Sequence, residues 1–135
     1  MVFNAVKTNV GDSYGNLAGD IAFNEVPINV GGGMAQDGSK FITPFSGYYR
    51  FSFSGTSGVI VNSITRINVY KNDKIEFNIY DRNDAEKADG NNLSFTWIWS
   101  MKKGDTVRFS LKIGYIYAAP FYPVIFTGEL IYKEH

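Results

Sequence analysis

The sequence predicts an all-β protein, a sandwich or barrel of antiparallel strands, and three observations carry that prediction. Apolar and polar residues alternate with period two through several segments, while no stretch sustains a helical period. Clusters of Gly, Asn and Asp separate those segments at the spacing of turns. Aromatic residues reach 16%, carried by the Phe and Tyr that strands favour.

The segments read in order. GYYRFSFSG is the clearest strand, with Tyr49, Phe51 and Phe53 on one face and Tyr48, Arg50 and Ser52 on the other. Ile67 and Val69 then alternate with polar residues, and Lys71 to Lys74 turn the chain into Ile75, Phe77 and Ile79, a hairpin. Leu93, Phe95, Trp97, Trp99 and Met101 form a further apolar stripe. The turn Lys103-Gly104-Asp105 closes it, and Val107, Phe109 and Leu111 return. The last strand sets Val124, Phe126, Gly128, Leu130 and Tyr132 on one face. Gly47 suits a turn feeding its strand, and Gly128 within a strand marks close approach by a neighbouring aromatic. No linker, charge block, internal repeat or low-complexity segment divides the chain, so residues 1–135 are expected to form one domain. That length suffices for one hydrophobic core.

Composition narrows the function by exclusion. Thirteen basic and thirteen acidic side chains cancel, leaving no basic field to hold nucleic acid or an anionic membrane. No apolar run approaches the ~20 residues that span a bilayer, so no membrane insertion is expected. The absence of cysteine excludes disulfides, thiolate metal sites and cysteine nucleophiles. The single histidine is His135, the last residue, which leaves histidine bases, triads and zinc sites without material. Carboxylate pairs such as Asp81 with Asp84, or Glu76 with Asp105, fall at turns or outward positions, and a non-enzymatic protein is expected. The first residues, MVFNAVKTNVGD, lack the basic and apolar regions of a signal peptide. Either the protein is not secreted or the chain is a fragment beginning at an added Met1, and the fragment is the expectation.

Residues 23–53 carry a specific pattern. Phe23, Asn29, Phe41, Gly47, Tyr49, Phe51 and Phe53 fall without a gap on the signature of the C1q family, with Met34 where that signature has an aromatic residue or Leu. FNAVKT resembles the family's first strand, KKGDTVRF its Gly-Asp turn, and Phe126-Thr127-Gly128-Glu129-Leu130 its closing strand. The resemblance covers nearly the whole chain. It implies a ten-stranded antiparallel jelly roll that assembles as a homotrimer, secreted or extracellular, with any collagen-like stalk outside residues 1–135. One sheet would then cover its own core and also face the threefold axis. Tyr48 opposite Tyr49, Ile98 between Trp97 and Trp99, and Ile125 and Ile131 opposite Val124 and Leu130 fit such a two-sided sheet.

Three segments could carry chemistry. Residues 80–92 hold three aspartates and a glutamate in an oxygen-rich stretch of the kind calcium prefers. The resemblance to adiponectin-like members singles out Asp81 and Asp89 as a calcium pair, whereas Arg82 and Lys87 could neutralise the same carboxylates as a solvated acidic loop. The Gly-rich stretch 30–40 lacks the Gly-Lys-Ser/Thr of a phosphate loop, and its glycines are read as turn formers. The cluster GYIYAAPFYP offers Tyr115, Tyr117, Phe121 and Tyr122, aromatics suited to sugars or protein partners if not packed away; Tyr115, Tyr117 and Tyr122 are the ligand-contact candidates. Trp97 and Trp99 are expected in the core. The resemblance leaves three functions open: a lectin-like binder of glycans or microbial and cell surfaces in innate immunity, a signalling ligand engaging a receptor in the manner of cerebellin or adiponectin, and a structural trimerisation module.

Overall fold

The structure, a computed structural model, describes residues 1–9, 15–16, 19–57, 63–83, 92–114 and 116–135. Its strands are β1 (Val2–Lys7), β2 (Gly15–Asn16), β3 (Gly19–Asp20), β4 (Glu25–Val30), β5 (Phe41–Ile42), β6 (Gly47–Ser57), β7 (Ser63–Lys71), β8 (Lys74–Asn83), β9 (Asn92–Met101), β10 (Thr106–Ile113), β11 (Ile116–Ala118) and β12 (Val124–Lys133). A seven-stranded sheet runs β2-β11-β6-β12-β1-β4, with β9 on the other edge of β6. A five-stranded sheet runs β3-β10-β7-β8, with β5 also on β10. Every pairing is antiparallel. Twelve strand segments stand among the described residues where ten strands were expected. The excess comes from short pieces: β3 and β5 share one edge of β10, and β11 continues the β12 side of β6.

The two sheets close on an aromatic core. Phe3, Phe41, Tyr49, Phe51, Phe53, Phe109 and Phe126 are fully buried. Phe126 meets Phe3 and Phe109 edge-on at 4.8 and 4.6 Å, the offset geometry that ring quadrupoles favour. The alternation of β6 behaves as its sequence requires, with Gly47, Tyr49, Phe51, Phe53, Gly55 and Ser57 all buried. Gly128 sits opposite Phe3 and Phe51 in the ladder, and a Cβ there would stand 2.7 Å from Phe3 Cζ and 3.0 Å from Phe51 Cδ1.

Three expectations need correction. Gly47 is not in a turn: it is the first residue of β6, between Met101 and Lys133, and is glycine because the Tyr132 carbonyl and Leu130 press against the place of a Cβ. Tyr132 does not share the face of Leu130. A bulge between the two turns it outward, where its ring meets Tyr48 at 6.2 Å. The stripe on β9 is only partly inside: Trp97 and Met101 are buried, Trp99 is half-buried, and Phe95 is exposed. β9 is an edge strand, so the Phe95 ring leans on Phe77 of β8 at 5.0 Å across the open side of the sandwich.

The pole formed by the β7–β8, β9–β10 and β5–β6 connections is tied by side chains. Asn72 and Asp73 adopt positive φ (52° and 62°), as a two-residue hairpin demands. The Asn72 amide donates to Asp105 at 3.0 Å and its oxygen accepts from Thr106 N–H at 2.9 Å. Thr43 donates its N–H and its hydroxyl to the Asp105 carbonyl, each at 2.8 Å. Burial alone would push the Asp105 carboxyl up, but the Lys102 N–H, the Asn72 amide and the nearby Lys71 and Lys102 charges hold it below its ordinary value. Tyr49 donates its hydroxyl to the Phe45 carbonyl at 2.6 Å, and burial raises its phenol above the ordinary range.

Candidate functional site

The outer face of the seven-stranded sheet is organised in cross-strand rows, because directly paired residues on antiparallel strands point the same way. One row reads Val30, Val2, Glu129, Arg50, Ile98. The next reads Ile28, Asn4, Thr127, Ser52, Thr96, and the one beyond it Glu25, Val6, Ile125, Ser54, Ser94. On the other flank lie Tyr132, Tyr48 and Ser100. Val2, Ile28, Val30, Tyr48, Ile98 and Tyr132 are all exposed, an apolar frame around a polar middle. In that middle Arg50 Nη1 meets Glu129 Oε1 at 2.7 Å, and the Ser52 and Thr127 hydroxyls share a short hydrogen bond. A shallow hollow of about 430 Å3 opens over these groups, lined by Val2, Ile28, Arg50, Ser52, Thr127 and Glu129 among others. The Asn4 Oδ1 in its wall is buried without a partner among the described residues.

At the opposite pole from Asp105, β11 and the start of β12 bring aromatics onto the same outer face. Ala119 and Tyr122 exchange backbone hydrogen bonds of 3.3 and 3.0 Å, which leaves Pro120 and Phe121 as a tight tip. Phe121 is 92% exposed there. Tyr117 and Tyr122 meet edge-on at 5.8 Å. Beside them a groove of about 420 Å3 sets Phe121 and Tyr122 against Ser54, Thr56, Asn92 and Ser94. Apolar ring faces next to hydroxyl and amide groups form a surface that can stack a flat molecule and hydrogen-bond its edge.

The sequence candidates divide as follows. Tyr117 and Tyr122 are brought together, while Tyr115 lies outside the described residues. Asp81 belongs to strand β8, paired with Thr65, rather than to a loop beginning at residue 80; Asn92 likewise already belongs to β9. Asp89, Asp84 and Glu86 lie outside the described residues. Among the described residues no three acidic or histidine side chains cluster as metal ligands. Phe23, Met34 and Phe41 pack in the core, and Asn29 braces the following turn through its amide, accepting from Met34 N–H at 3.1 Å and donating to Met34 C=O at 3.3 Å. Gly31, Gly32 and Gly38 in the Gly-rich stretch have positive φ, the turn role read for them.

Sequence reasoning missed Arg50 and Glu129, whose outward phase beside Tyr49 and Leu130 was legible but whose pairing across strands was not. It also named Phe121 without marking its exposure, although Pro120 before it signals a turn.

Comparison with known proteins follows the same lines. The C1q domain family matches residues 2–131. The globular domain of the zebrafish complement 1qA protein superposes with a TM-score of 0.74 at 17% identity, covering 98% of each chain. Murine APRIL superposes with TM-scores of 0.66 and 0.65 at 10% and 12% identity, in structures at pH 5.0 and 8.0. These cover 94% and 93% of this chain and 98% and 96% of APRIL. No curated protein sequence matches the chain.

Proposed function

This chain belongs to the C1q domain family, and from that premise we propose that it acts outside the cell as a homotrimeric, non-catalytic recognition domain for glycans on microbial or cell surfaces. The observation that carries the assembly is the two-sided sheet. Its inner face supplies half the core, while its outer face shows Val2, Ile28, Val30, Tyr48, Ile98 and Tyr132 in rows that a monomer would leave in water. Packing three copies over the part of the face that bears these residues removes that apolar surface from solvent and leaves the row of Ser54 and Ser94 outside the contact.

Ligand recognition falls in this reading to the pole bearing Phe121, Tyr122 and Tyr117. A sugar ring stacks on Phe121 or Tyr122, and its hydroxyls meet Ser54, Thr56, Asn92 and Ser94. Three such sites on one trimer turn weak single contacts into avidity for a repetitive surface. Asp81 with Asp89 is where calcium would be held in the same reading, as oxygen donors from carboxylates.

Two measurements test it. Sedimentation at micromolar concentration gives about three times 15.1 kDa; a monomer at every concentration refutes the assembly. A glycan array probed with and without calcium gives binding to a defined sugar class, and silence across the array in both conditions refutes the ligand assignment.

A further inference from the structure

We propose that the Arg50–Glu129 pair is a self-neutralising element that lets identical copies of this chain pack over the outer face of the seven-stranded sheet. The inference rests on the trimer reading above and concerns what makes that face compatible with itself. Across the rows running Val30 to Ile98, Ile28 to Thr96 and Tyr132 to Ser100, Arg50 and Glu129 are the only charged residues among the described ones; Glu25, opposite Val6, stands at the outer end of the row beyond. They lie at the middle of their row, between Val2 and Val30 on one side and Ile98 on the other. Both are about half exposed (48% and 46%), so a second copy laid on this face takes them out of water.

Closed rotational symmetry adds a constraint that a contact between different proteins does not have. Each copy brings the same residue to the same region near the axis, so a lone charge there meets its own like. Like charges that approach while losing solvent repel and keep their desolvation penalty. Here the opposite charge comes from the adjacent strand of the same protomer, at 2.7 Å, before any partner arrives. Each copy therefore presents a neutral patch over these rows, and the pair is buried as a closed unit. The bond engages one guanidinium N–H and one carboxylate oxygen, which leaves further donors and one acceptor oxygen for hydroxyl and carbonyl groups of the second copy. The hollow beside the pair, with the unpartnered Asn4 Oδ1 in its wall, gives a polar side chain of that copy a place to enter.

Sedimentation velocity across a concentration series reads the prediction. Arg50→Leu and Glu129→Leu each leave one charge uncancelled and move assembly to roughly 100-fold higher concentration or beyond. The double variant R50L/E129L, neutral again, assembles at the wild-type concentration or below it. Thr96→Asp leaves the pair intact, adds one uncancelled charge to the next row, and weakens assembly as the single variants do. Far-ultraviolet circular dichroism checks that each variant is folded. A wild-type chain that is monomeric throughout overturns the trimer reading itself. A wild-type trimer in which the single variants and Thr96→Asp assemble within about threefold of it overturns only this inference. Failure of the double variant to recover also overturns it, since the charges would then be needed as contacts and not as a neutral pair.

Discussion

Replacing Gly128 by alanine adds a single methyl group at a close crossing of the core. The new carbon would stand 2.7 Å from Phe3 Cζ and 3.0 Å from Phe51 Cδ1. Comfortable carbon–carbon contact is about 3.5–4.0 Å, so the rings must give way by about 1 Å. Phe3 has nowhere to go: Phe41 stacks on it at 5.0 Å and Phe126 meets it edge-on at 4.8 Å. Phe51 is likewise stacked against Tyr49 at 5.9 Å and Phe126 at 5.9 Å. Overpacking of this kind costs about 1–3 kcal/mol, and the enclosure of both rings puts Gly128→Ala at the upper end. For a domain of this size that is a fall in melting temperature on the order of 10 °C. Equilibrium urea unfolding at fixed protomer concentration measures it as a lower midpoint with unchanged slope. Phe3→Leu in the same chain opens room for the methyl, so the double variant F3L/G128A loses clearly less than the sum of the two singles. Stability within ~0.5 kcal/mol of wild type for Gly128→Ala, or strict additivity with Phe3→Leu, refutes the packing argument.

Other perturbations read other parts of the molecule. Tyr49→Phe strips the Phe45 carbonyl of its buried donor and lowers unfolding stability by about 1–2 kcal/mol in urea. Because burial raises the Tyr49 phenol above its ordinary value of 10.0, its contribution is complete below pH 10 and lost as the pH climbs through the folded value. The difference in stability between wild type and Tyr49→Phe therefore shrinks on the alkaline side, and a constant difference up to pH 11 contradicts this. Asp105 behaves with the opposite sign: its lowered carboxyl adds stability above 3.8 that disappears as the pH falls through the folded value. Thermal melts between pH 2 and 5 are accordingly steeper in pH for wild type than for Asp105→Asn. Phe121→Ala, at a fully exposed tip, leaves the melting curve in place while reducing retention on the glycan surface at least about tenfold, and unchanged retention removes Phe121 from the site. Millimolar calcium raises the melting temperature and a chelator reverses it, with the shift absent in Asp81→Asn and Asp89→Asn; no shift in wild type leaves those aspartates as ordinary surface.

The fold was legible where side chains alternate between core and solvent without interruption. Tyr49, Phe51 and Phe53 on β6, Val107, Phe109 and Leu111 on β10, and Val124 and Phe126 on β12 all lie inside as the period of two requires. Period alone does not register bulges, so the outward turn of Tyr132 was hidden by one extra residue in the ladder. Nor does it say which strand ends a sheet, and Phe95 is exposed because β9 does. Gly128 carried its own message, a missing side chain among apolar ones, whereas Gly47 looked like a turn because a backbone crossing leaves no local mark. The candidate site was visible in its aromatic half, Tyr117 and Tyr122. Its polar half comes from Ser54, Thr56, Asn92 and Ser94 on strands distant in sequence, and only the pairing of β6 with β9 brings those together.

The pairing of β1 with both β4 and β12 also sets a timetable for folding. One edge of β1 meets β4, made shortly after it, while the other waits for a strand at the far end of the chain. During synthesis Phe3 and Ala5 leave the ribosome about 120 residues ahead of Phe126, yet the ladder that buries them beside Phe126 and Gly128 cannot close until β12 has emerged. β6 also lacks its inner neighbour until β12 arrives, with β9 already available on its other side. The nascent chain therefore carries an open strand edge and a row of unburied aromatic rings until β12 emerges. β12 acts as the closing stave of a barrel. Shortening the chain by that one strand opens the seven-stranded sheet at its centre and sets loose the two sides it joined.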